Sequence, residues 1–187
     1  ADPRTAGPGG LGARSAAVRG FLNLAREARY FKEARPGGAL QLKSEEFAAA
    51  LEALGQSNEP VVLFGFTFVL YAYAVLPLVQ AGRRFRLPPG SHVVHIGGWK
   101  KLADQQVSKA DFNATMEQLF GIPADNVVDF YGFTEQMGVT YPDGPGGAKF
   151  APAFAEVIVR DPSTFKPLPD GQEGLLQFVT PLPYSYP

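Results

Sequence analysis

Val61-Val62-Leu63-Phe64-Gly65-Phe66-Thr67-Phe68 opens a stretch, Val61 to Gly82, with no formal charge at all; Arg83, Arg84 and Arg86 follow it. A run of that length reaches the ~20 apolar residues that a membrane-spanning helix needs. Its local grammar argues for a different use. Val61 to Phe64 is a β-type run closed by Gly65, and Thr67 can cap a helix beginning at Phe68. Strand, glycine turn and buried helix employ such residues inside a doubly covered parallel sheet, whose strands are continuously apolar. Pro77 would also bend a spanning helix. On hydropathy alone, a span over Val61 to Val79 stands as the alternative.

Downstream, the same alternation repeats. Ser91-His92-Val93-Val94-His95-Ile96 is a strand launched from Pro88-Pro89-Gly90 and closed by Gly97-Gly98-Trp99-Lys100-Lys101. Ser108 opens a helix with a weak capping box to Asp111, lined by Phe112, Met116, Leu119 and Phe120, and ended by Gly121 and Pro123. A third strand begins at Asn126. Strand, helix, strand, helix, strand with short connections predicts an α/β fold with a parallel sheet and flanking helices. Beyond Glu135 the pattern changes. Tyr141 to Gly147 is a predicted loop, and Ala155–Arg160 and Gly174–Val179 are predicted strands of a small antiparallel β extension, joined by the turn-rich segment Asp161 to Gly171.

Upstream, Ala1 to Gly12 has almost nothing to bury and is read as a disordered tail or a cut end. No signal peptide is visible. Ala13 to Ala34 has helical periodicity, with Val18, Phe21, Leu22 and Ala25 on one side. Ala39 to Leu42 is a short candidate strand, and Ser44, a candidate N-cap, opens a helix running through Leu54. The resulting plan is a helical lead-in over 13–60, an α/β core over 61–135 and a β extension over 148–187.

Composition narrows the function classes. The 187 residues suffice for one sizeable domain or a large piece of a bigger protein. A net charge of −1 offers no basic field for nucleic acid. With Cys at 0, disulfides, thiolate metal sites and cysteine nucleophiles are excluded within this chain. His92 and His95 are too few for a histidine-only zinc site, and His95 is read as a hydrogen-bonded strand residue.

Asn126 to Gln136, Asn-Val-Val-Asp-Phe-Tyr-Gly-Phe-Thr-Glu-Gln, holds the candidate chemistry. A strand ending in a glycine turn exposes its next residues at the carboxyl edge of the sheet, where open α/β sheets bind ligands. An aromatic face, a hydroxyl and a carboxylate suit the base, phosphate and Mg²⁺ of a nucleotide. An ordinary polar turn after a strand is the alternative. For Gly97-Gly98 the choice is between close backbone approach to a flat ligand and a simple tight turn.

Tyr131-Gly132-Phe133-Thr134-Glu135 resembles the Tyr-Gly-x-Thr-Glu signature of adenylate-forming enzymes: acyl- and aryl-CoA ligases, luciferases and peptide-synthetase adenylation domains. His95-Ile96-Gly97-Gly98-Trp99-Lys100 sits one helix earlier, where that superfamily has a glycine-rich acyl-pocket segment. Gly171-Gln172-Glu173-Gly174-Leu175-Leu176 looks like its later Gly-Glu-x-Gly-Glu-Leu-type segment. The Gly-Gly-Trp-Lys form, Leu119 to Pro123 and the Ser185-Tyr186-Pro187 ending are most similar to LuxE-type acyl-protein synthetases (long-chain-fatty-acid–luciferin-component ligases). Three segments in order are far more specific than the pentapeptide alone, and the likeness covers residues 13–187.

The resemblance implies part of the large N-terminal domain of an adenylate-forming, cytoplasmic ligase that uses ATP and Mg²⁺. Its substrate would be a fatty or aryl acid, passed to an acceptor protein, a carrier protein or coenzyme A. By position, Tyr131 would stack on adenine, and Asp129, which offers only acceptors, would take the adenine amino group. Thr134 would bind the α-phosphate beside Gly132, and Glu135 would ligate Mg²⁺. Gly97 and Gly98 would wall the adenine pocket from the acyl pocket, with Trp99 near the acid's carboxylate. Phe64, Phe66 and Phe68 are candidates for the acyl tunnel, with plain core as the alternative.

Several family parts are absent from these residues: the Ser/Thr/Gly-rich phosphate loop, the ribose-binding Asp, the C-terminal domain with its Lys, and the acceptor cysteine. Phe150-Ala151-Pro152 stands where a histidine-containing segment is expected. The chain is therefore expected to be a central fragment that does not turn over in isolation. A non-catalytic binding or interaction module retaining the fold is the alternative.

Overall fold

The uncharged run divides as its local residues suggest. In the computed structural model, which describes residues 25–34, 40–133, 136 and 138–182, β3 (Val62–Phe66) passes through Gly65 and leads directly into helix. The element labels follow chain order: β1 is Lys32–Ala34, β2 Leu40–Leu42 and α1 Ser44–Gly55. Helix α2 (Thr67–Val69) is followed by a π-helical segment, Leu70–Val75, and by α3 (Leu76–Gln80). The wide π turn has a local cause. Pro77 has no N–H to give and would collide with the preceding turn of an α-helix. Here it falls at the start of α3, while the Leu76 N–H reaches back five residues to the Tyr71 carbonyl. Among the described residues no helix is long and apolar enough to cross a membrane.

The chain forms two units, one running to Asp129 and the other starting at Phe130. In the first, β3 runs parallel to β4 (His92–Ile96), from Val62↔His92 to Phe66↔Ile96, and β5 (Val127–Tyr131) lies next to β4. Consecutive parallel strands joined by right-handed crossovers carry both connections on one face. Burial agrees. Leu63, Val93 and Val127, on one face, join a single cluster with Phe47 and Leu51 of α1, Leu70 and Val75, and Met116, Leu119 and Phe120 of α4 (Lys109–Phe120). The alternate residues Val62 (57% exposed), Phe64, Phe66 and Ile96 lie outside that cluster, on the other face.

The caps followed expectation at one helix and departed from it at another. At α4 the Ser108 Oγ accepts the Asp111 N–H at 3.0 Å and donates to the Asp111 carboxylate at 2.7 Å, and Gly121 (φ 70°) ends the helix. Ser44, expected to cap α1, is instead its first helical residue. Lys43 holds the N-cap position without a side-chain bond to it, and Glu45 and Glu46 face the positive end of the helix dipole. The helix predicted over Ala13 to Ala34 also fails at its end. Residues 25–31 have no regular structure and Lys32–Ala34 pair antiparallel with β2. Tertiary contacts override the helical pattern there: Phe31 packs on Phe47 at 5.1 Å and its carbonyl accepts the Lys43 N–H at 2.8 Å. The rest of that prediction, with the tail at 1–12 and the Ser185-Tyr186-Pro187 ending, lies outside the described residues.

In the second unit the end of β5 pairs antiparallel with β6 (Tyr141–Pro142), and Asp143 bridges to Lys149. The predicted loop from Tyr141 is therefore partly strand. Its buried Tyr141 side chain anchors it among Tyr131 and Phe178. Strands β7 (Glu156–Arg160) and β8 (Leu175–Val179) form the expected antiparallel ribbon, paired from Glu156↔Val179 to Arg160↔Leu175.

Candidate functional site

Strand β4 delivers the first part of the site. Past Ile96 the chain turns through Gly97 and Gly98 with φ of 93° and 58°, a left-handed pair that side chains resist. A Cβ on Gly97 would stand 3.4 Å from the Phe66 ring, whereas one on Gly98 would meet nothing within 4 Å. Trp99 then folds back, half-buried, edge-on to Tyr71 (5.2 Å, 72°) and to Phe112 (6.4 Å, 87°). The π segment that carries Tyr71 therefore sets where Trp99 lies. Phe64 and Phe66, rings 6.5 Å apart, occupy the sheet face opposite the core. They are thus across the sheet from the cluster that holds Trp99, and the structure does not bring these three candidates together.

A polar group sits inside the core face. His95 and Thr67 are both buried, and the Thr67 Oγ1 lies 2.9 Å from His95 Nδ1. Thr67 therefore spends its hydroxyl on the imidazole and does not cap the helix as expected; the N-cap position belongs to Phe66. Asp129 of β5 brings its Oδ1 to 3.5 Å from the same Nδ1, and the Phe112 ring closes over the imidazole at 4.5 Å. Strand parity already contained this. His95 shares a face with the buried Val93, and a buried imidazole takes partners. What the sequence does not announce is that the partners are Thr67 and Asp129.

The second unit holds the other candidates. Tyr131, 44% exposed, stacks on Phe178 at 5.9 Å and 26°, and both rings also meet Phe133 and Tyr141. Gly132 follows Tyr131; Thr134 and Glu135 lie outside the described residues. Next to them, Gln136 is buried and its Oε1 accepts the Tyr141 hydroxyl at 2.6 Å. Burial pushes the Tyr141 phenol above its ordinary range. The sequence does not announce this buried Gln136–Tyr141 pair. Among the described residues no group of three or more His, Asp or Glu could hold a metal. A carboxylate of the Glu135 type is a hard oxygen donor of the kind Mg²⁺ takes, the metal completing its shell from phosphate and water.

The family described as acyl-protein synthetase, LuxE, matches residues 1–187. A long-chain-fatty-acid–luciferin-component ligase of Vibrio harveyi is 24% identical over 147 residues, covering 79% of this chain and 39% of the relative. Its namesake in Aliivibrio fischeri is 23% identical over 143 residues, covering 76% and 38%. The chain thus spans about two fifths of the length of these relatives. Among solved structures, apo MatB from Rhodopseudomonas palustris is similar with a TM-score of 0.34 and 19% identity, covering 81% of this chain and 39% of that one. An ATP-bound MatB from the same organism is similar with a TM-score of 0.33 and 19% identity, covering 77% and 37%. Matched over its whole length by that one family, the chain belongs to the LuxE acyl-protein synthetases.

Proposed function

We propose that this chain carries the nucleotide-binding part of a ligase that activates a fatty or aryl acid with ATP, as an acyl-adenylate, for transfer to a thiol. The observation that supports it most directly, beside the family match, is the 3.5 Å approach of Asp129 to His95. That approach supports a reading in which Asp129 and the Gly97-Gly98 turn share the carboxyl rim where open α/β sheets take ligands. In this reading Tyr131 stacks on the adenine with its exposed face, and Asp129 accepts from the adenine amino group. Gly97 and Gly98 divide base from acid, and Trp99 lies on the acid side. Gly132 lets the chain approach the phosphates, Thr134 holds the α-phosphate and Glu135 holds the metal. Phe64 and Phe66, across the sheet, form an apolar wall on that face.

The reaction asks for positioning and charge neutralisation more than for acid–base chemistry. A carboxylate oxygen of the acid attacks the α-phosphorus, the bond to the bridging oxygen of pyrophosphate breaks, and the acyl group stays as a mixed anhydride. Mg²⁺, when bound, neutralises charge on the phosphates. With no cysteine among these 187 residues, the acceptor thiol comes from residues outside this sequence or from another molecule. The test is Glu135→Ala in the full-length protein. Acid-dependent exchange of pyrophosphate into ATP should disappear while the thermal melt stays in place; exchange at the parental rate removes Glu135 from the metal site and the activity reading with it.

A further inference from the structure

Thr67, His95 and Asp129 come from a helix start, the central strand and its neighbour, and they meet at a single nitrogen. Thr67 Oγ1 is 2.9 Å and Asp129 Oδ1 3.5 Å from the same His95 Nδ1. A relay that activates a hydroxyl nucleophile needs its two partners on opposite ring nitrogens, carboxylate on one and hydroxyl on the other. The arrangement therefore does not make Thr67 a nucleophile. It resembles a bracket. The imidazole is buried, closed over by Phe112 at 4.5 Å and tied at Nδ1 to a buried threonine, so it has little room to turn. The Asp129 side chain in front of it is 32% exposed, open enough to meet a ligand.

We infer that His95, protonated at Nδ1 and sharing that N–H between the Thr67 oxygen and Asp129, is a positioning residue that fixes the Asp129 carboxylate and thereby sets the preference for an amino-bearing over a keto-bearing purine nucleotide. The inference rests on the reading of Asp129 as the acceptor for the adenine amino group. A carboxylate offers acceptors only, so a keto oxygen in the same place would face it with lone pairs against lone pairs. A loose carboxylate can turn away from that clash; a held one cannot. Discrimination by a polar group depends on its being held where the wrong ligand leaves it unpaired.

The experiment compares ATP with inosine triphosphate as substrates for acid-dependent pyrophosphate exchange in the full-length protein, as the ratio of kcat/KM values. Asn carries its amide where His carries Nδ1, and Gln carries it where His carries Nε2. His95→Asn should hold the ratio within about twofold of the parent, while His95→Gln should lower it roughly tenfold, through the KM for ATP and not through kcat. A packing role would follow side-chain size and favour Gln over Asn. Thr67→Val keeps shape and removes the hydroxyl, so it should lower the ratio where Thr67→Ser restores it. Equal behaviour of Asn and Gln, or a parental ratio in Thr67→Val, overturns the inference, and the Thr67 pair decides should the His95 proteins not fold. Asp129→Ala separates the two levels. If it leaves the ratio unchanged, the assignment of Asp129 to the base fails; if it alone collapses the ratio, only the bracket fails.

Discussion

Each unit buries a hydroxyl against a polar side chain, Thr67 with His95 and Tyr141 with Gln136, but the two pairs are built over different ranges. Thr67 and His95 are 28 residues apart. They meet because β3 and the π segment, which flank Thr67, are held with β4 and α4 in one apolar cluster. Tyr141 and Gln136 are five apart, and the antiparallel step from β5 to β6 closes them. The polar geometry near Asp129 thus depends on the whole first core, whereas that around Gln136 and Tyr141 depends on one turn and the Tyr131, Phe133 and Phe178 rings.

The largest stability effect should come from breaking the long-range side. Phe120 is fully buried in α4 and stacks on Phe85 at 6.3 Å. Phe120→Ala should cost about 3–5 kcal/mol, the range for a large buried side chain that leaves a cavity. Urea unfolding measures it, and a loss below about 1 kcal/mol would show that the first core is looser than its burial suggests. The short-range side should yield less. Tyr141→Phe keeps the ring and strips the buried Gln136 of its donor, for about 1–3 kcal/mol. The sign of its pH dependence follows from the raised phenol. A group whose folded value lies above its unfolded one gives its full contribution below the unfolded value and loses it as pH rises through the folded one. The gap between parent and Tyr141→Phe should therefore narrow above about pH 10; a gap that widens there would contradict the burial of the hydroxyl.

That difference in range also governs what was legible. The sequence exposes local features well: the β-type run at Val62, the capping box at Ser108, the glycine stop at 121 and the paired strands near Glu156 and Leu175 all lie where residue chemistry puts them. It exposes non-local partners poorly. Thr67 has the residue type and place of a cap, and only the approach of β4 diverts its hydroxyl to His95. Lys32–Ala34 carry a helical pattern, and the pairing with β2 overrules it. Trp99 follows a glycine pair that marks a turn, and its ring is engaged by Tyr71, whose position depends on a π segment with no simple period. Tyr141 lies in a Pro- and Gly-rich stretch, and its burial arises from rings at positions 131 and 178.

Two smaller predictions sharpen the contrast by touching purely local devices, one per unit. Ser108→Ala removes the side-chain acceptor for the Asp111 N–H at the start of α4, and should cost about 1 kcal/mol in urea unfolding. If the cost approaches that of Phe120→Ala, the cap has a tertiary role that its hydrogen bonds do not reveal.

The smallest effect belongs to the turn after β7. The Asp161 carboxylate accepts the Thr164 N–H at 2.7 Å, the Ser163 N–H at 2.9 Å and the Thr164 hydroxyl at 3.0 Å. These bonds, the Thr164 N–H first, hold its carboxyl below the usual range. A carboxyl depressed on folding contributes stability above its unfolded value and loses it as pH falls through the folded one. Asp161→Ala should therefore melt slightly below the parent at neutral pH, and the two curves should converge in acid, from about pH 4 downward. The exposed position keeps the effect small. A difference that persists undiminished in acid would mean that the turn is held by its backbone, with the carboxylate contributing nothing.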